Sequence, residues 1–243
     1  MSADRTLAIA QRIIAQMLRD RRSLALIIVA PILVMALVGF TFADQPAILD
    51  RVAPALITTF TLFFTFILTG VSFLRERSQG TLDRLVTTTV GRGDILAGYL
   101  LGFLIFALIQ LLAILFFTIV VLQVSYQGAL WQAFVLLLLL TVVSVNLGIF
   151  VSTFARNEFQ VVQFIPVVLA PQIFLAGIFV PVEQMPRYLE IISRGLPLTY
   201  AVEALQDLMI KGQYLGDVVQ QLVVLAGFAI GLFVMASITV KRT

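Results

Sequence analysis

The 243-residue chain is 60% hydrophobic and only 12% charged, with a mean hydropathy of +1.07, a balance that excludes an ordinary soluble domain. It has no histidine and no cysteine, which excludes a Ser/His triad, a His-ligated zinc site, disulfides and thiolate chemistry. Its formal net charge of +3 comes without a basic face for tracking phosphates, so it speaks for membrane topology and anionic lipid and against nucleic acid.

The first element is RTLAIAQRIIAQMLRDRR, which puts Leu7, Ala10, Ile13, Ile14, Met17 and Leu18 at helical spacing and Arg12, Gln16 and Arg19 on other faces. It predicts an amphipathic helix over residues 1–23 lying in the membrane interface, with a plain anchor as the simpler alternative. A hydrocarbon core of about 30 Å takes about 20 helical residues to cross, so charge-free windows of that length count as candidate spans. The first two are 24–42 and 52–74. No small-x-small site follows the first, which is therefore expected to remain as a span.

Residues 95–155 hold 61 positions without a charge, enough for two spans, 95–122 and 130–154. The hairpin between them falls in QVSYQGALWQ, where Gln123, Ser125, Gln127 and Gly128 supply turn positions and Tyr126 and Trp131 favour a membrane interface. Spans 159–182 and 218–240 complete the set, with Pro166 and Pro171 expected to kink the fifth. Runs such as Leu136 to Leu140 carry no alternation, which rules against a strand barrel. The expected fold is one all-α integral membrane domain over residues 1–243 with six spans. With both termini inside, twelve Lys and Arg fall on the cytoplasmic side and four, Arg51, Arg187, Arg194 and Lys211, outside, the bias that sets orientation.

Three connections remain. In FLRERSQGTLDRLVTTTVGRGDIL, residues 73–96, Thr81 can cap a short helix with Asp83 in its first turn. Leu82, Leu85, Val86 and Val90 then share one side, and Gly91 and Gly93 end it before Asp94. The expectation is a short amphipathic cytoplasmic helix within the segment 75–94; a positive-inside signal alone would not need Glu76, Asp83 or the apolar stripe. FARNEFQ, with Arg156, Asn157 and Glu158, reads as a tight cytoplasmic turn. Residues 183–217 split at Gly195-Leu196-Pro197 into two short external helices, and whether these float in the interface or re-enter the bilayer stays open.

No phosphate-cradling GxxxxGK[ST] occurs, so the chain is not its own P-loop ATPase. The expected spans hold no ionisable group, which argues against proton coupling and leaves sodium held by backbone and hydroxyl oxygens open. They do carry hydroxyls, amides and aromatic rings, among them Thr61, Phe64, Thr65, Asn146 and Gln172. Such residues suit a hydrophobic or amphipathic compound such as a drug or lipid, although packing is the commoner role of each.

The string FLRERSQGTLDRLVTTTVGRGDILAGYLLG resembles the segment after the second span in type-2 ABC exporter permeases, a family that includes antibiotic and multidrug exporters. Arg75, Glu76, Arg77, Gly80, Thr81, Leu82, Asp83, Arg84, Leu85, Thr87 and Arg92 match its pattern, and Thr89 stands where a proline is common. LAGIFVPVEQMPRYLEIISRGLPLTYAVEALQDLM resembles the family's last external segment through Gly177, Pro181, Glu183, Met185, Pro186, Pro197, Leu198, Thr199, Tyr200 and Leu205.

What the resemblance implies is a half-sized permease in a prokaryotic cytoplasmic (inner) membrane. Two copies, or one copy and a close relative, would form the pathway. Separate ATPase subunits would carry the ATP and Mg, with no cofactor in this chain. The cytoplasmic helix would be the coupling helix, with Arg75, Glu76, Arg77, Gly80, Thr81, Leu82, Asp83, Arg84 and Leu85 meeting the ATPase. Pro181, Glu183, Pro186, Pro197 and Tyr200 would belong to an external gate. The competing readings are an ATP-independent ion or solute carrier and a non-transporting membrane anchor of a complex.

Overall fold

The computed structural model describes residues 3–81 and 91–239. The coupling candidates Leu82, Asp83, Arg84 and Leu85 lie outside the described residues, and so does the apolar stripe of Leu82, Leu85, Val86 and Val90. Every regular element among the described residues is helical. In chain order these are α1 (Ala3–Arg19), α2 (Arg21–Thr41), α3 (Pro46–Ser78), α4 (Arg92–Phe116), α5 (Leu130–Ser152), α6 (Glu158–Leu175), α7 (Arg187–Ser193), α8 (Pro197–Met209) and α9 (Val219–Thr239). A π turn, Phe117–Val121, extends α4, and a 3-10 turn, Val182–Gln184, precedes α7. Six helices, α2 to α6 and α9, are long and apolar enough to cross a membrane.

The six spans follow from the charge-free windows, but their ends do not. The window 52–74 is only the middle of α3, which has 33 residues and at 1.5 Å per residue is about 50 Å long. A helix of that length outruns the hydrocarbon core, so Asp50, Arg51 and the run from Arg75 to Arg77 project beyond it at its two ends. Pro46 sits in the first turn of α3, where its missing N–H leaves no helical bond unmade. At the other end Gly80 adopts φ 69° and donates its N–H to Arg77 O at 3.0 Å. This left-handed closure suits glycine because it has no Cβ to clash.

The fifth span is shorter than expected. Helix α6 stops at Leu175 instead of reaching 182, because Gly177 at φ 81° turns the chain away from the helix axis. At its start Asn157 caps α6 by accepting the Gln160 N–H at 2.9 Å. The break expected at 195–197 falls between α7 and α8, with Gly195 N–H donated to Ile192 O at 2.9 Å.

Helix α3 is the axis of the bundle. Ala53, Ile57, Leu62, Phe66 and Phe73 are buried along its length, and its largest neighbour is α5. Gly70 and Gly148 let these two backbones approach: a Cβ at Gly148 would press on Thr69 and lie 2.9 Å from Phe66 O. Helices α2, α6 and α9 form the periphery and leave large apolar side chains such as Leu33, Phe159 and Ile230 exposed. Helix α8 is packed inside the bundle against α3, α5 and α9, with Leu198, Ala201, Val202, Leu205 and Leu208 all buried. Its backbone is therefore covered by protein, the condition under which a helix can re-enter a leaflet.

Candidate functional site

Two regions hold the described coupling and gate candidates, one at each end of α3. At the arginine-rich end, Arg75, Glu76 and Arg77 are successive residues on the last turn of α3, so their side chains leave the axis about 100° apart. Each reaches a different neighbour. Glu76, 3% exposed, accepts hydrogen bonds from the Arg12 guanidinium of α1 and from Tyr99 Oη of α4 at 2.9 Å. Arg12 Nη2 also donates to Tyr99 Oη at 3.2 Å. Tyr99 is fully buried and stands edge-on to Phe73, ring centroids 5.0 Å apart. A carboxylate withdrawn from water this far is tolerable only with such partners.

Arg75 bridges Asp20 at 3.2 Å and Glu158 at 3.1 Å, tying the α1–α2 link to the start of α6. Arg77 donates from Nη1 to Thr153 O at 2.8 Å and Ser152 O at 3.5 Å, carbonyls at the end of α5, where a cation is favoured; Ser152 O also accepts the Ala155 N–H at 3.2 Å. The three side chains that the resemblance would place against an ATPase thus organise their own bundle. Gly80 closes α3 as described above, and Thr81, half-buried, is its last described neighbour.

Arg12 and Tyr99 are the residues that sequence reasoning missed. The signal was present: GYLLG places Gly98 and Gly102 four apart on α4, where α1 lies against them. A Cβ at Gly98 would stand 2.6 Å from Ile9 Cβ and 3.0 Å from Thr6 O, and one at Gly102 would stand 2.8 Å from Ile13 Cβ. Only glycine admits the α1 backbone at these two positions. Ile9, Ala10, Ile13 and Met17 are buried as a result, whereas Leu7 and Leu18 stay exposed.

At the opposite end a cavity of about 1130 Å³ is framed by the start of α3, the α4–α5 hairpin, α8 and the start of α9. Pro181, Glu183 and Tyr200 line it; Pro186 and Pro197 do not, and instead set the starts of α7 and α8. Arg194 holds the wall together, donating to Glu203 at 2.7 Å and Glu183 at 3.4 Å, while Tyr200 Oη donates to Arg194 O at 2.9 Å. Ser193 Oγ donates to Leu175 O at 2.8 Å and so fastens this hinge to the end of α6. Burial raises the Glu203 carboxyl above the usual carboxylate range, with Arg194 pulling the other way and Glu183 adding to the rise.

The five pathway candidates do not converge. Thr61 and Thr65 are fully buried in α3 with hydroxyls that meet no partner, and Phe64 packs edge-on to Phe63 at 5.0 Å. Asn146 Nδ2 donates to Ala229 O at 3.0 Å, joining α5 to α9, which is the work of interhelical glue. Gln172, 3% exposed, reaches only Val168 O of its own helix at 3.4 Å. None of the five lines the large cavity.

Comparison with known proteins gives a consistent family. The family model described as ABC-2 type transporter matches residues 4–210. ABC transporter G family member 20 of Dictyostelium discoideum is 29% identical over 164 residues, which cover 68% of this chain and 22% of that protein. The probable multidrug ABC transporter permease YbhS of Escherichia coli (strain K12) is 26% identical over 69% of this chain and 45% of its own length. The linearmycin resistance permease protein LnrN of Bacillus subtilis (strain 168) is 27% identical over 65% of this chain and 41% of its own length. The matched stretch thus spans less than half the length of each of these relatives.

Proposed function

The chain belongs to the ABC-2 type transporter family, and on that premise we propose that it is the transmembrane subunit of an ATP-driven exporter. It lies in a prokaryotic cytoplasmic membrane with both termini and the arginine-rich end inside, the orientation its positive charges favour. ATP and Mg bind on a separate ATPase subunit, and a second copy or close relative of this chain completes the pathway. The cargo is a hydrophobic or amphipathic compound, a reading supported by relatives named for multidrug transport and linearmycin resistance.

The observation that carries the reading is the junction of Arg12, Glu76 and Tyr99. The segment from Gln79 to Gly91 connects α3 to α4, and the junction joins the same two helices about one turn before it on α3 and about two turns after it on α4. A push on that segment is therefore delivered to α1, α3 and α4 as one body and not to a loose loop. Such a unit suits a chain that receives its energy from a partner, in keeping with the missing P-loop.

The decisive experiment is gentle purification of the tagged chain from its native membrane. An ATPase of the ABC class should accompany it, and vesicles holding the assembled complex should hydrolyse ATP faster when an amphipathic cargo is added. Recovery of the intact chain without any ATPase would overturn the proposal.

A further inference from the structure

The cavity beside α8 has a wall whose chemistry narrows what it can hold. Most of its charges already have partners. Arg194 is shared between Glu183 and Glu203, Lys211 is paired with Asp207, and Asp50 accepts the Ser125 N–H at 2.8 Å. With Arg51 the wall holds four acidic and three basic side chains, a near balance that gives neither an anion nor a simple cation a large excess of opposite charge to meet.

What the wall offers instead is neutral hydrogen bonding. Four primary amides, Gln127, Gln206, Gln220 and Gln221, line it, and each presents both a donor group and an acceptor. The Gln221 Oε1 atom is buried and meets no donor, so an O–H or N–H brought to it replaces a missing bond instead of competing with an existing one. Tyr126 and Tyr200 add flat apolar faces beside these polar groups. At about 1130 Å³ the space is at the upper end for small-molecule sites, which run to roughly 1,000 Å³, and far too large for a bare ion.

We infer that this cavity binds a neutral polyhydroxylated group, such as the sugar or polyol head of an amphiphile, through the amides of Gln206 and Gln221. The role of the site in release rests on the transport reading, but its binding chemistry does not. Hydroxyls satisfy both halves of each amide, and the C–H face of a sugar ring lies against a tyrosine ring. A site built in this way discriminates against an analogue that lacks the hydroxyls, because the buried Gln221 Oε1 is then left unpaired.

The test uses the full chain in lipid nanodiscs. The protein has no native cysteine, so Phe179→Cys carries an environment-sensitive fluorophore at the cavity rim. Three probes with one tail are titrated below their micelle-forming concentrations: octyl β-glucoside, octyltrimethylammonium and octyl phosphate. The glucoside should give a saturable signal at least tenfold tighter than either charged probe, and Gln206→Leu with Gln221→Leu should weaken it at least tenfold while thermal unfolding is unchanged. If that double variant does not fold, Gln221→Leu alone carries the comparison. Equal or tighter binding of a charged probe, or a glucoside signal that does not saturate or ignores the amide variants, would overturn the inference. No ATPase takes part, so the purification experiment above can fail without affecting this result, and the reverse is equally true.

Discussion

Glu76, which the resemblance places at a contact with an ATPase, has partners of its own within the fold. Its place in an Arg-Glu-Arg run beside a connecting segment was legible, but its tie to Arg12, 64 positions away, was not, because no local pattern encodes a pairing between an amphipathic helix and the end of a span. The structure also changes what its substitution tests. Glu76 is buried while Arg12 is 35% exposed, so losing Arg12 strands a buried carboxylate at a cost of up to about 3–5 kcal/mol, and charge reversal at Glu76 sets a second cation beside Arg12 and should destabilise this end before it reports on coupling. We expect Arg12→Leu alone to lower the unfolding temperature sharply. Replacing the three together, Arg12→Leu, Glu76→Leu and Tyr99→Phe, should restore most of it, since an apolar substitute for a buried pair is often neutral or stabilising. Thermal scans of the purified chain in detergent decide this; a triple variant no more stable than Arg12→Leu would show that the junction is not the unit described. Glu203 gives a second prediction at this scale. Its carboxyl is raised in the folded protein, so its contribution to stability is present in acid and is lost as pH rises through the folded value, above the ordinary carboxylate range. Glu203→Gln should remove that part of the pH dependence, and a stability profile identical to the parent chain would refute the assignment.

At the level of elements, the spans were readable because bilayer thickness imposes a length of uncharged chain. Their ends were not, because the charges that bound such a window belong to the same helix wherever they find partners, as Arg75 and Arg77 do at the end of α3. The amphipathic pattern of α1 was readable too, but not what covers it. A stripe containing both Ile13 and Leu18 looks the same whether lipid or protein lies opposite, and here Ile13 is buried on α4 while Leu18 is 56% exposed. Gly98 and Gly102 decide the matter. Substituting Gly102→Leu forces a side chain into the space of Ile13 and should cost about 1–3 kcal/mol as overpacking, lifting α1 from α4. Limited trypsin digestion, which can cut after Arg12 and Arg19, should then cleave at least tenfold faster. Unchanged cleavage would mean that α1 does not depend on this seat.

In the whole molecule the two candidate regions meet through one element. Helix α3 carries Glu76 at the arginine-rich end and reaches the cavity with Asp50, Arg51, Val52 and Ala55 at the other, and it is buried against neighbours over most of the distance between. A buried helix transmits displacement along its axis with little loss, because close-packed side chains leave no slack to absorb it. On the exporter reading, ATP binding that closes the partner ATPase should therefore alter access to the cavity from the far side of the membrane, provided the two states differ in their affinity for ATP. A single cysteine at Gln220, on the cavity wall, should react with a membrane-impermeant thiol reagent at rates that differ severalfold between nucleotide-free and ATP-bound complexes. Tyr99→Phe removes two hydrogen bonds from the junction and keeps the ring and the Arg12–Glu76 pair, so it should narrow that difference without abolishing assembly. Equal labelling rates in the two nucleotide states would separate the ends of α3 functionally. A difference that Tyr99→Phe leaves untouched would instead place the transmitting contact within the segment between Thr81 and Gly91.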